Sequence, residues 1–325
     1  MSKTLKLLSF HGQGSKFDVN KVLFKSITVE QLYKNRFQDY CINSSCYQPD
    51  VISLLNNLSF QDYMAEKNEL IEKKEDSLIL GHSLGELQFL SCNKLISTED
   101  LMQIATKRDE LMKYEMRLWK ERNFKGLTAS NNSDDLISTY SLLISPKLLK
   151  QNPGFVKETL LPMMNNEIGH KTLTVSLYNT ATSIVSTGLT NDFNQLFEID
   201  SRIQKALIKK IKLPNVSQIA FHNKKFLSNI EEPLNDFIFK TLVKNKHSHI
   251  ETLDIPVFSS YSNKINKNVL SAMEDFTKSS FSTIPFYDNC LSIKRYIKDR
   301  NLAVERIDLG PSDVLSGILN KNGLK

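Results

Sequence analysis

A G-x-S-x-G turn at residues 81–85 constrains the fold of this chain more than any other segment. The apolar run before it, residues 77–80, has the length of a buried strand, whereas the residues after it follow a helical pattern. A sharp turn from strand to helix needs both glycines, because a side chain at either position would collide with neighbouring backbone. The turn therefore predicts that Ser83 is a catalytic nucleophile. A plain tight turn in which Ser83 caps the helix is the structural alternative.

Short apolar runs of strand length alternate with helical patterns along the chain, which is typical of α/β proteins. Besides the run before Ser83, the predicted strands of this kind are residues 5–10, 255–260 and 304–309. They predict a large, discontinuous α/β-hydrolase-like domain over residues 1–123 and 214–325.

A different pattern occupies the middle of the chain. Residues 173–178 and 184–187 are two β-prone runs separated by polar residues, which indicates a hairpin. Together with the helical segments around it, the hairpin predicts a small ferredoxin-like domain over residues 124–213, inserted in the larger one.

Composition excludes several functional classes. The 325 residues carry a formal net charge of +6 spread over many lysines, so no nucleic-acid partner is expected. No apolar run approaches the ~18 residues that a membrane span needs. The four cysteines form no CxxC pair, which predicts free thiols in a reducing compartment. Because the sequence has no metal-ligand cluster, P-loop or G-x-G-x-x-G, no metal and no cofactor is expected.

A serine nucleophile needs a base, and histidine is the natural base near neutral pH. His222 follows the apolar segment 219–221 and precedes polar residues, so it could face a cleft at the end of a strand or loop. On composition alone it is favoured only slightly over His247. His82 is expected to point to the other side of the turn. Polar or loop-like contexts surround the remaining histidines, which are His11, His170, His247 and His249.

One charged residue interrupts an apolar helix face. The sequence from Ser97 has the chemistry of a helix N-cap, and the helix that follows has an apolar stripe that includes Arg108. A charge on such a stripe indicates either a functional group or a helix-face arginine in an ion pair.

These motifs, taken together, resemble the malonyl-CoA:acyl carrier protein transacylases, and in particular their fungal mitochondrial branch. Residues 81–86 are similar to the family's GHSLGE signature, and residues 10–14 resemble its N-terminal FPGQG. Arg108 lies 108 − 83 = 25 residues after Ser83, where the family has its carboxylate-binding arginine. Weaker matches to the family's HAFH, strand-pair and GPG motifs are residues 219–222, 179–188 and 310–312.

The resemblance implies a mechanism for the turn. Ser83 would attack the malonyl thioester, with His222 as its base. The backbone N–H groups of Gln13 and Leu84 would form the oxyanion hole. The acyl group would then pass from the serine ester to the thiol of an acyl carrier protein.

The resemblance also implies how the acyl group is chosen. Arg108 would bind the free malonyl carboxylate, and Phe221 would narrow the pocket beside the malonyl methylene. Four residues before Pro285, Phe281 takes the place of the residue whose backbone carbonyl orients the catalytic histidine. His11 departs from the family, which has proline there, and Ala181 and Ser183 replace its proline and glutamine in the strand pair.

Partners and location are likewise implied by the resemblance: malonyl-CoA and acyl carrier protein as partners, a monomeric enzyme and the mitochondrial matrix. The rival prediction from another reaction class is a serine esterase or thioester hydrolase, which would use the same turn and pass the acyl group to water. A catalytically inactive interaction module is disfavoured, because Ser83, His222, Gln13 and Arg108 are all present.

Overall fold

The computed structural model of the protein describes residues 3–14, 16–67, 77–123, 136–165, 172–199 and 201–325. His170 and the predicted start of the small domain at residue 124 lie outside these residues. The strands in the described ranges are β1 Thr4–Phe10, β2 Ser77–Gly81, β3 Ile137–Ile144, β4 Thr174–Thr180, β5 Ser183–Leu189, β6 Leu207–Leu213, β7 Thr252–Phe258, β8 Ile265–Asn268 and β9 Ala303–Leu309.

The α-helices in the described ranges are α1 Ile27–Arg36, α2 Gln38–Ile42, α3 Pro49–Lys67, α4 Gln88–Cys92, α5 Thr98–Asn123, α6 Pro146–Gln151, α7 Leu161–Asn165, α8 Thr190–Ile199, α9 Ser201–Ala206, α10 Lys224–Leu227, α11 Glu231–Lys244, α12 Val269–Phe281, α13 Phe286–Asp299 and α14 Val314–Lys321. The same ranges also contain three 3₁₀ segments, Val19–Lys21, Ser83–Leu87 and Ser228–Ile230, and a π-helical segment, Phe155–Leu160. None of the helices in these ranges has both the length and the apolar character that a membrane crossing requires.

The chain divides into two compact units. The first unit comprises residues 1–109, 234–277 and 288–325, and the second comprises residues 110–233 and 278–287. The predicted domain bounds, with a small domain over 124–213, stay a prediction.

A five-stranded sheet with the order β8-β7-β2-β1-β9 is the centre of the first unit. All neighbouring strands are parallel except β8, which is antiparallel to β7. The middle strand β2 is buried along its whole length, which explains its continuous apolar sequence. This parallel sheet with its helices confirms the predicted α/β class.

Strands β1 and β2 end at the same level. Phe10, the last residue of β1, pairs with Gly81, the last residue of β2. Because carboxyl ends of parallel strands meet at one edge of a sheet, the loops after Phe10 and after Gly81 emerge side by side.

The second unit has its own four-stranded antiparallel sheet, with the order β4-β5-β3-β6. The predicted hairpin is confirmed as β4 and β5, which pair up to Thr180 and Ser183. A buried cluster that includes Leu142, Val175 and Phe193 forms its core. Strand β6 lies at the edge of the sheet, and its lysine-rich sequence LIKKIKL is largely exposed.

Candidate active site

The chain reverses sharply at Ser83, as the sequence predicts. Ser83 has φ 54°, a left-handed conformation that residues with a Cβ rarely adopt, and it starts the 3₁₀ segment that follows β2. A Cβ on Gly81 would overlap the backbone nitrogen and Cα of Glu86. Leu84 is fully buried, and the first hydrogen bond of the turn runs from Gly85 N to the His82 carbonyl at 3.0 Å. The helix predicted directly after Gly81 is therefore a 3₁₀ turn that leads into the short helix α4.

The first loop, residues 11–14, and the serine turn are in backbone contact. His82 N donates to the carbonyl of Phe10 at 3.0 Å. A Cβ on Gly85 would overlap the Phe10 carbonyl, and one on Gly12 would overlap the His82 carbonyl. Glycine at these two positions lets the backbones lie directly against each other, which fixes the position of each loop relative to the other.

Asn56 on α3 supports the first loop where the family has proline. Its Nδ2 donates to the carbonyl of His11 at 2.8 Å. The His11 ring is buried against Gly310, which has φ +127° and leaves no room for a Cβ. Burial and, to a smaller extent, the nearby His82 lower the pKa of His11 to about 4, so the ring is neutral at physiological pH.

Arg108 is a buried cation on helix α5. The predicted N-cap is confirmed, since Asp100 N donates to Ser97 Oγ at 3.1 Å. Arg108 is only 1% exposed, and its Nη1 donates to Oε1 of Gln13 at 3.0 Å. Burial lowers the pKa of the guanidinium to about 10, against the opposing effect of Asp109, so it remains protonated at neutral pH. The structure thus brings two predicted site residues, Gln13 and Arg108, into contact.

Glu86 is a second buried ionisable group, three residues after Ser83. Its Oε2 accepts hydrogen bonds from the hydroxyl and backbone N–H of Ser260, and Asn289 Nδ2 donates to the Ser260 carbonyl at 3.0 Å. Among the described residues, Oε1 of Glu86 has no hydrogen-bond partner. Burial, aided by the charge of Asp275, raises the pKa of Glu86 to about 8, so the group is a neutral carboxylic acid at pH 7.

A pH-dependent stability follows from Glu86. Its pKa is raised in the fold, so the unfolded chain loses this proton from about pH 4.5 while the folded protein keeps it to about pH 8. The contribution of Glu86 to stability is therefore fully present below pH 4.5 and is lost as the pH rises to 8, by up to ~1.4 kcal/mol per pH unit. Glu86→Gln, a neutral isostere, should not show this loss.

The measurement is the free energy of unfolding by urea for both proteins from pH 4.5 to 8.5. His11 acts in the opposite direction between about pH 4 and 6.5, because its lowered pKa makes the folded protein lose stability as the pH falls. His11 is common to both proteins, so its effect cancels in their difference. A difference that does not change with pH would show that Glu86 is ionised in the fold.

His222 lies in the second unit, whereas Ser83 lies in the first. Its Nδ1 is 2.6 Å from the carbonyl oxygen of Ser279. Because a carbonyl can only accept, Nδ1 must carry a proton, and in the neutral ring the lone pair is then on Nε2. This tautomer is the one that a general base needs.

The sequence predicts that the carbonyl of Phe281 orients His222, and this prediction is wrong. The carbonyl that accepts from His222 Nδ1 belongs to Ser279. Ser279 is in the last turn of α12, where carbonyls lack a partner within the helix and can accept from a side chain. Counting four residues back from Pro285, as in the family, gives position 281, whereas the accepting carbonyl lies two positions earlier. Phe281 instead packs in an apolar cluster with Ile219 and Ala220.

Two groups next to His222, which the sequence does not reveal, hold it in place. The carbonyl of Phe221 accepts from Ser176 Oγ at 2.7 Å and from Thr187 Oγ1 at 3.1 Å. On the other side, Asn223 Nδ2 donates to the carbonyl of Thr172 at 2.8 Å. His222 itself has φ 55°, and the fixed neighbours maintain this unfavourable backbone conformation. Phe221 is partly buried beside the same apolar cluster.

The rival histidine has an ordinary structural environment. His247 is half-buried three residues after the end of α11, and its Nδ1 lies 3.0 Å from the carboxylate of Glu251. Within the described ranges, no three histidine, cysteine or carboxylate side chains form a group that could hold a metal ion.

Comparisons with known proteins confirm the resemblance that the motifs predict. The chain is 28% identical to the mitochondrial malonyl CoA-acyl carrier protein transacylase of Saccharomyces cerevisiae, over 98% of this chain and 92% of the relative. No family model matches the chain.

Solved structures give the same fold. The malonyl CoA-acyl carrier protein transacylase of Burkholderia pseudomallei superposes with a TM-score of 0.66 at 16% identity, covering 99% of this chain and 98% of the other. The enzyme of Helicobacter pylori gives 0.68 at 16% identity, covering 98% and 92%. A malonyl-transacylase in complex with a type II polyketide acyl carrier protein gives 0.67 at 14% identity, covering 98% and 93%. At these identities the likeness shows the fold.

Proposed function

We propose that this chain, a relative of the yeast mitochondrial transacylase, is an acyl-carrier-protein S-malonyltransferase of type II fatty acid synthesis. It moves malonyl from malonyl-CoA through an ester on Ser83 to the phosphopantetheine thiol of acyl carrier protein. The observation that carries the proposal is Arg108, a buried and protonated guanidinium in the unit that contains the Ser83 turn. An acyl group that ends in a carboxylate is the natural ligand of such a cation.

In the first half-reaction, Oγ of Ser83 attacks the thioester carbonyl while Nε2 of His222 takes the hydroxyl proton. The tetrahedral oxyanion is held by the N–H groups of Leu84 and Gln13. Its collapse breaks the carbon–sulfur bond, and CoA leaves with the proton from His222. The products are malonyl-Ser83 and free CoA. The left-handed Ser83 and the Nδ1–H tautomer of His222 support these two roles.

In the second half-reaction, the phosphopantetheine thiol gives its proton to His222 and attacks the ester carbonyl. Collapse releases Ser83, which regains a proton from His222, and the malonyl group is now a thioester on the carrier. Because one product leaves before the second substrate reacts, the kinetics are ping-pong.

Arg108 and Phe221 select the acyl group in this proposal. The planar guanidinium of Arg108 grips the free malonyl carboxylate with two hydrogen bonds, which an acetyl group cannot accept. Phe221 narrows the pocket beside the methylene and disfavours a branched chain, a discrimination of roughly 1–3 kcal/mol.

The proposal extends to architecture and location. The first unit is an α/β-hydrolase-like domain, and the second is a ferredoxin-like domain, supported by its strand-helix-strand-strand-helix-strand order and the sheet order β4-β5-β3-β6. The enzyme acts as a monomer in the mitochondrial matrix; the name of the yeast relative supports the mitochondrial location.

The decisive experiment is intact mass spectrometry after mixing the protein with malonyl-CoA, followed by addition of acyl carrier protein. We expect a malonyl adduct that passes to the carrier. Arg108→Ala should slow malonyl labelling by about 10- to 100-fold, because hydrogen bonds to a charged group contribute ~1.5–3 kcal/mol. Labelling by acetyl-CoA should not fall.

Arg117→Ala is the matched control, since Arg117 is an exposed arginine on the same helix. It should label like the wild type. Rapid release of malonate to water, with none on the carrier, would favour the thioester hydrolase instead. If malonyl-CoA labels Arg108→Ala and the wild type at the same rate, Arg108 does not bind the malonyl carboxylate.

A further inference from the structure

The side chain of Gln13 has a contact that its backbone role does not require. Its Oε1 accepts a hydrogen bond from Nη1 of Arg108 at 3.0 Å, and its Nε2 lies 3.5 Å from the carbonyl oxygen of Tyr47. Arginine has no acceptor, so the amide must turn its oxygen toward Arg108. The two ends of the amide therefore have distinct partners, and the orientation of the side chain is defined.

A buried guanidinium needs acceptors for its five N–H donors, and the kind of acceptor determines what else it can bind. An amide oxygen orients the group through a hydrogen bond but leaves its charge in place. A carboxylate at the same position would form an ion pair with Arg108 and compete with an incoming anion. Glutamine at position 13 thus helps to orient Arg108 without itself adding a negative charge beside it.

We infer that Gln13 is a positioning residue that determines acyl selectivity through its side chain. Its Oε1 orients the Arg108 guanidinium for the carboxylate of a dicarboxylic acyl thioester. This inference rests on the proposed function and extends it. The backbone N–H of the same residue serves the oxyanion in that proposal. One residue therefore links the site of the reacting carbonyl to the site of the distal carboxylate, and the link favours an acyl chain of fixed length between the two.

The test uses two variants of the full chain. Gln13→Met keeps the backbone N–H and a similar length but removes the acceptor. It should lower kcat/KM for malonyl-CoA about tenfold relative to that for acetyl-CoA, as expected for one hydrogen bond to a charged group. Gln13→Glu introduces the competing carboxylate and should raise KM for malonyl-CoA further, with a smaller effect on acetyl-CoA.

The ratio of the two substrates separates selectivity from other defects. A distorted oxyanion site or a loosened fold lowers the rates with both thioesters together, and that result would overturn the inference. In an Arg108→Ala background, Gln13→Met should leave the ratio unchanged, because the group on which it acts is gone. A tenfold change of the substrate ratio on adding Gln13→Met to Arg108→Ala would also overturn the inference.

Labelling of the wild-type protein tests the proposed function independently of the Gln13 variants. If it forms no malonyl adduct, the proposed function fails, and the inference fails with it. If it labels selectively with malonyl and the Gln13→Met ratio matches the wild-type ratio, only the inference fails.

Discussion

Replacement of Ser83 by alanine is expected to abolish the covalent malonyl adduct and all transfer to the carrier. The variant keeps a Cβ, so the left-handed backbone at φ 54° is strained to the same degree as in the wild type and the turn is retained. Only the oxygen that would form the ester is lost. Intact mass spectrometry after incubation with malonyl-CoA measures this directly.

His222→Asn should leave Ser83 able to react but slow the formation of the adduct by about 10²- to 10⁴-fold, the usual contribution of a general base. Asparagine is the appropriate replacement, because it tolerates the left-handed conformation that His222 adopts. The rate of adduct formation at a fixed malonyl-CoA concentration is the measured quantity.

Matched controls are available for both variants. Ser91→Ala removes a hydroxyl from the helix that follows the turn, and His247→Ala removes the rival histidine. Both should label at the wild-type rate. If His247→Ala slows labelling as much as His222→Asn does, the base has been assigned to the wrong histidine.

Gly81→Ala is expected to destabilise the fold by about 3 kcal/mol or more, since its methyl group would overlap backbone atoms of Glu86 that cannot move aside. Those atoms belong to the turn itself and not to a flexible side chain. Relief of the overlap would require the turn to separate from β2. Urea unfolding of the wild type and the variant measures the loss.

Gly317→Ala provides a control of opposite sign. Gly317 lies in helix α14, and a Cβ there would meet no atom within 4 Å. Alanine in place of glycine in a helix should therefore stabilise the protein by up to ~1 kcal/mol. If the two variants change the unfolding free energy by the same amount, the close approach at Gly81 is not what requires glycine.

The serine turn is the part of the site that can be predicted from the sequence, because everything that defines it is local. The strand β2, the glycines and Ser83 lie within nine consecutive residues, 77–85, and the backbone sterics of these residues determine the turn. The same holds for the apolar strand β1 and for the β4–β5 hairpin, whose patterns are short and continuous.

Long-range contacts could not be predicted in this way. Gln13 and Arg108 are separated by 95 positions, and nothing in either local sequence indicates that they meet. The carbonyl on His222 comes from a residue 57 positions away, and a sequence count placed it at Phe281 and not at Ser279. Strand β6 could not be predicted for another reason. Its exposed lysines protect this sheet edge against pairing with other chains, but they also interrupt the apolar pattern by which a strand is recognised.

The backbone contact between the first loop and the serine turn determines when, during folding, the proposed catalytic geometry forms. The hydrogen bond between Phe10 and His82 extends the β1–β2 pairing. Gly12 and Gly85 leave room for the two backbones to lie against each other. The relative placement of the nucleophile and of the loop with the Gln13 N–H is therefore complete once the two strands have paired. In the proposed mechanism, the dipoles that stabilise the oxyanion are thus arranged once, during folding, and not again in each turnover.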